Sequence, residues 1–131
     1  MIKRDLTKKL KFLAEKLPVL AILGPRQSGK TTLSQAAFPK HTYVSLEDLE
    51  AQEFAKTDPR GFLNKHANKH GIILDEIQHV PALLSYIQVQ VDREKKNGYF
   101  ILTGSQDFLS IKQLLKPLLV ELLFLHSCHF P

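Results

Sequence analysis

A chain of 131 residues is long enough for one domain around one core, and 44% hydrophobic against 24% charged residues is the balance of an ordinary soluble globular domain. Its one Cys excludes an internal disulfide and points to a reducing cytoplasm. The net charge of +5 gathers near the start, in Lys3, Arg4, Lys8, Lys9, Lys11 and Lys16; no nucleic-acid motif accompanies it, so it reads as a solvated helix face.

The start is amphipathic and lysine-rich, unlike a signal peptide. Ile2, Leu6, Leu10, Leu13 and Leu17 fall near helical spacing, which predicts a helix ended by Pro18. The run VLAIL, 19–23, is a short apolar stretch before a glycine loop and predicts a strand buried on both faces. A helix is expected over 30–38, a strand over 42–46, and helical pieces over 47–57 and 59–69 split at Pro59. GIILDE, 71–76, holds a third buried strand. The segment 81–98 opens with Pro81 in a first-turn position and closes at Gly98, as a helix does. YFILTGS, 99–105, predicts a fourth strand and DFLSIKQLLK, 107–116, a short helix. Strands alternating with helices predict an α/β fold of three layers, a parallel sheet with helices on both faces.

GPRQSGKTT, from Gly24 to Thr32, matches the P-loop pattern G-x-x-x-x-G-K-[ST], with an apolar strand before it and a helix after. Gly24 and Gly29 let the backbone turn through the Pro25, Arg26, Gln27, Ser28 loop, so that the amides from about Gln27 to Thr32 cradle a β-phosphate. Lys30 adds a mobile charge for the β- and γ-phosphates. The Thr31 hydroxyl is placed to ligate Mg²⁺, and Thr32 lies near the α-phosphate. Arg26 and Gln27 brace the loop or meet a partner.

Asp75 and Glu76 end a buried strand. Two carboxylates at such a tip are costly unless they face a metal or polarise something, and ligands of open α/β sheets bind there. Asp75 is the expected water-mediated Mg²⁺ ligand and Glu76 the residue that polarises the attacking water. FILTGSQ places Thr103, Ser105 and Gln106 at another strand end; Thr103 or Ser105 is expected to hold that water near Glu76. His41, His66, His70 and His79 show no ligand pattern and are expected at the surface. Glu47 and Asp48 either reach the nucleotide or start a helix.

LAILGPRQSGKTTL, YVSLEDLEAQEFAKTDPRGFL, GIILDEIQHVP and YFILTGSQDFL together resemble a family of prokaryotic AAA-superfamily ATP-binding proteins, with an N-terminal P-loop ATPase domain and a C-terminal domain of unknown function. The resemblance runs from the first helix to about Lys116. It implies a P-loop NTPase fold, ATP and Mg²⁺ as cofactors, and a sheet in which the FILTG strand lies between VLAIL and IILD. Self-association, and action on nucleic acid or a partner protein, are compatible with the family, but no residue names the partner.

The family continues past TGSQ with a short helix and a stretch like SLAGRTAFLAFLPFS, whose Arg and last strand belong to the ATPase core. This chain reads PLLVELLFLHSCHFP instead. Bases that encode the family-like stretch, read one base later, give Pro117 to Phe130. The expectation is therefore an incomplete ATPase domain over 1–116, truncated near its fifth strand, and an out-of-frame apolar tail over 117–131. That tail is too short to span a bilayer, and His126, Cys128 and His129 are not expected to form a metal site. The function expected is Mg-ATP binding with ancestral hydrolysis that drives a conformational change. The alternatives are a nucleotide-binding remnant of a broken gene without turnover and, against the adjacent acidic pair, a small-molecule kinase.

Overall fold

Short runs of branched and aromatic apolar residues, punctuated by glycine and proline, extend into five strands: β1 (Val19–Leu23), β2 (Thr42–Ser45), β3 (Ile72–Asp75), β4 (Phe100–Gly104) and β5 (Glu121–Phe124). They form one parallel sheet in the order β2-β3-β4-β1-β5. β4 lies between β1 and β3, as the family resemblance implied. The structure is a computed structural model and describes residues 2–25, 29–105 and 121–124.

Successive strand residues face opposite sides of the sheet. Val19, Ala21, Leu23, Ile72, Leu74, Phe100 and Leu102 join one core; Leu20, Ile22, Ile73 and Ile101 join the other. The first is covered by α3 (Leu49–Thr57), α4 (Pro59–Lys65) and α5 (Leu83–Glu94), through Ala55, Phe62, Leu63, Leu83, Leu84, Ile87 and Val91. The second is covered by α1 (Ile2–Ala14) and α2 (Lys30–Ala37), through Leu10, Ala14, Leu33 and Ala37. Each fully buried aliphatic side chain contributes about 1.5–3 kcal/mol. Burial on both faces explains why β1, β3 and β4 read as continuous apolar runs. The expected three-layer α/β architecture is the one observed. Arg4, Lys8, Lys9, Lys11 and Lys16 are exposed on and just after α1.

The structure decides one alternative left open by the sequence, that of Asp48, and corrects several local expectations. Asp48 starts a helix: its carboxylate caps α3 by accepting from Ala51 N at 3.0 Å. Asp58 caps α4 in the same way, with Pro59 in the first turn. α4 stops at Lys65 instead of running to Lys69. α5 begins at Leu83, after Pro81 and Ala82 have turned the chain, and ends with Lys95 in the left-handed region at φ 50°. Gly98 is not the helix stop. It joins neighbouring elements, its N–H donating to the Leu17 carbonyl at 2.7 Å while its own carbonyl bonds the His41 ring at 2.7 Å. His41 is thus half-buried between β2 and the β4 approach, not at the surface, and His66 is half-buried against Phe62. The helix expected over 107–116, the boundary at Lys116, Arg26, Gln27, Ser28 and Gln106, and the tail's His126, Cys128 and His129 lie outside the described residues. Among the described residues no helix is long and apolar enough to cross a membrane.

Candidate active site

β1, β3 and β4 run parallel, so their C-terminal ends stand side by side and the segments leaving them meet at one edge. The chain leaves β1 through Gly24, whose N–H donates to the Gly104 carbonyl at the end of β4, 3.0 Å away. It re-enters regular structure at Gly29, which caps α2 from the left-handed region at φ 86°. Only glycine adopts that conformation without penalty, and the helix it opens brings its first amides, which have no partner within α2, to this edge.

Four of the buried polar side chains among the described residues, Lys30, Asp75, Glu76 and Thr103, gather at this edge; the other, Ser34, donates to the Thr31 carbonyl one turn along α2. Asp75, the last residue of β3, collects three hydroxyls. Thr31 Oγ1 lies 3.0 Å from each carboxylate oxygen, the Tyr43 hydroxyl donates to Oδ2 at 2.6 Å, and Thr103 Oγ1 donates to Oδ1. Thr103 Oγ1 also accepts the Glu76 N–H at 3.0 Å, so one buried hydroxyl ties both acidic residues to β4. Burial, and next the bond to Asp75, hold the Tyr43 phenol well above its ordinary 10.0.

Glu76 stands in the left-handed region at φ 59° and ψ 55°. A non-glycine residue there costs on the order of 1–2 kcal/mol. The conformation turns the chain from β3 into a single 3₁₀ turn, Ile77–His79, that the sequence had not suggested. The carboxylate turns back towards the loop. Its Oε2 is 3.6 Å from Lys30 Nζ, and its Oε1 accepts from Gln78 Nε2 at 3.0 Å. Lys30 Nζ also donates to the Pro25 carbonyl at 3.3 Å.

The sequence-predicted Lys30, Thr31, Asp75, Glu76 and Thr103 are thus brought together. Ser105 reaches the same edge through its backbone N–H, which donates to Gln78 Oε1 at 3.2 Å. Thr32 is exposed on the first turn of α2. Tyr43 and Gln78 were missed. Tyr43 reaches Asp75 because β2 pairs with β3 in a register that sets Ser45 beside Asp75, a neighbourhood that no local sequence pattern writes. The donors around Asp75 are hard oxygens, a carboxylate and a hydroxyl, the set Mg²⁺ prefers, while a buried ammonium lies beside them for an anion.

A family model described as an AAA domain matches residues 16–123. An uncharacterized protein of Mycobacterium tuberculosis and one of Mycobacterium bovis are each 33% identical over 106 residues, which is 79% of this chain and 23% of theirs. The chain thus spans about a quarter of the length of those curated relatives (23%). Among solved structures, a DNA replication initiation factor superposes with a TM-score of 0.60 at 18% identity, over 93% of this chain and 45% of that one. AMPPCP-bound DnaA from Aquifex aeolicus does so with 0.56 at 19%, over 93% and 45%. A signal transduction ATPase with numerous domains from Pyrococcus horikoshii, which has a tetratricopeptide repeat sensor, gives 0.56 at 18%, over 90% and 22%. At these identities the likeness to the solved structures is one of fold.

Proposed function

This chain belongs to the AAA domain family, and on that premise we propose that the edge formed by Gly24, Lys30, Thr31, Asp75 and Glu76 binds Mg-ATP and hydrolyses it. The observation that carries the proposal is the convergence of one buried ammonium and two buried carboxylates beside a left-handed glycine at the start of α2. A fold has no structural need to gather such groups, because each is expensive to desolvate.

Each residue has a task. The first amides of α2 receive the phosphates, and Lys30 exchanges Glu76 for their negative charge. Thr31, and Asp75 through water, would hold Mg²⁺, whose chemistry is to neutralise charge on the β- and γ-phosphates. Glu76 takes a proton from water as the water oxygen bonds to the γ-phosphorus; the bond to the β–γ bridging oxygen breaks, and its electron pair leaves with ADP. Thr103 keeps Asp75 and Glu76 in register with β4. The reading extends to a conformational change driven by turnover, in an assembly of which this chain is one part.

The test is calorimetric titration with Mg-ATP together with a phosphate-release assay. Binding by the parent chain, its loss in Lys30→Ala, and release of phosphate support the reading. Equal affinity in both proteins refutes the site. Binding without phosphate release would leave the nucleotide-binding remnant as the better description.

A further inference from the structure

Gln78 lies in the GIILDEIQHVP stretch without a role assigned to it by the resemblance, yet its carboxamide joins the two strand tips of the site. Nε2 donates to Glu76 Oε1 at 3.0 Å and Oε1 accepts the Ser105 N–H at 3.2 Å. The chemistry of the partners fixes the orientation of the amide, since only its NH₂ serves a carboxylate and only its oxygen serves an N–H. The 3₁₀ turn after Glu76 brings Gln78 over the end of β4. Gly104 makes room for it: a Cβ at 104 would lie 3.0 Å from Gln78 Oε1. Gly104 is not among the positive-φ glycines, so the close approach, not an unusual backbone conformation, calls for glycine there.

Glu76 therefore divides its carboxylate. Oε2 faces Lys30, and Oε1 is fastened to Gln78. An arriving polyphosphate competes for Lys30 and breaks the ion pair, which frees Oε2 but leaves Oε1 held. Without that second hold the side chain would spread over its staggered rotamers at the moment it has to orient water. We propose that Gln78 is a positioning residue that ties the carboxylate of Glu76 to the tip of β4, so that Glu76 keeps its place when Lys30 turns to phosphate and follows any shift of the Ser105 backbone. The proposal rests on the ATPase reading above and adds to it the link that couples the β4 tip to the carboxylate.

Two measurements on the full 131-residue chain test it. In the first, Gln78→Ala and Gln78→Glu are compared with the parent for turnover, Mg-ATP affinity and melting temperature. Gln78→Glu keeps an acceptor for Ser105 but offers Glu76 no donor. Both variants should lose about ten-fold or more in kcat while affinity stays within about two-fold. Parental turnover in Gln78→Glu, or equal losses in affinity and turnover, would overturn the proposal. The second measurement needs no activity. The Ser105 backbone amide resonance should move on Glu76→Gln in the parent, and by at least about three-fold less in the Gln78→Ala background. Equal shifts in both backgrounds would show that Gln78 carries nothing between the two. If the parent shows no phosphate release, the ATPase reading fails, while the resonance experiment still decides the tether.

Discussion

Lys30 and Glu76 neutralise each other across the site, Nζ to Oε2 at 3.6 Å, with only 3% and 10% of their side chains exposed. Removing one member of a buried pair strands the other, at a cost of about 3–5 kcal/mol where burial is complete. Glu76→Gln should therefore melt lower than the parent without nucleotide. It should bind Mg-ATP at least as tightly, since Lys30 then gives up no partner, and its melting temperature should recover more than the parent's when Mg-ATP is added. Thermal melts with and without nucleotide check this, and a variant as stable as the parent without nucleotide would contradict it.

Tyr43 supplies one of three hydroxyls on Asp75, so Tyr43→Phe should cost about 1.5–3 kcal/mol in denaturant unfolding, the range for a bond to a charged group. The phenol is also held above its ordinary value of 10.0. A folded-state pKa raised in this way stabilises the fold below the unfolded value, and that contribution fades as pH climbs from about 10 towards the folded value. The stability gap between the parent and Tyr43→Phe should accordingly narrow above pH 10. A gap that widens there would reverse the sign of the argument.

His41 behaves in the opposite sense. Burial holds its ring below the ordinary 6.5, against the raising effect of the Gly98 carbonyl, with His70 adding a smaller push downward. A depressed folded pKa gives stability that is present above about 6.5 and is lost as pH falls through the folded value. His41→Gln keeps a donor for the Gly98 carbonyl and does not titrate. Its melting temperature should fall less than the parent's between about pH 7.5 and pH 5. His66, also lowered by burial and next by Lys65, acts in the same direction, so some decline should persist in the variant.

Gly29 separates strain from crowding. Among the described residues a Cβ there would meet nothing within 4 Å, so the expected cost of Gly29→Ala is conformational, about 1–2 kcal/mol for φ 86°. Chemical denaturation should show that loss. A much larger loss would mean that the loop packs against something at this position.

Lys30, Thr31, Asp75 and Glu76 were legible because their spacing is local: a loop that turns into a helix, and a strand that ends in acids, are written in a few consecutive letters. The order of β1, β3 and β4 was legible only through the family resemblance, since periodicity gives strands and not neighbours. Tyr43 and Gln78 were not legible. A tyrosine in a strand and a glutamine after an acidic pair are unremarkable in sequence, and their partners are supplied by β3 and β4 across tertiary distance. His41 was misjudged for the same reason: its bond to Gly98 depends on a chain crossing that no local pattern encodes. The left-handed Glu76 was hidden too, because nothing but the surrounding hydrogen bonds marks a non-glycine residue for that region.

The sheet order also sets when the site can exist. β1 finds its neighbours far along the chain, Leu20 beside Ile101 on one side and Glu121 on the other. The strand that carries the loop is synthesised before β4 and stays without that neighbour until β4 has left the ribosome. Closing so long a loop is slow in comparison with forming a helix or a hairpin, and parallel pairing of distant segments belongs to the slow end of folding. The nascent chain is thus most vulnerable to misassociation while β1 stands alone. Lys30 meets Glu76 only after the sheet has closed around them.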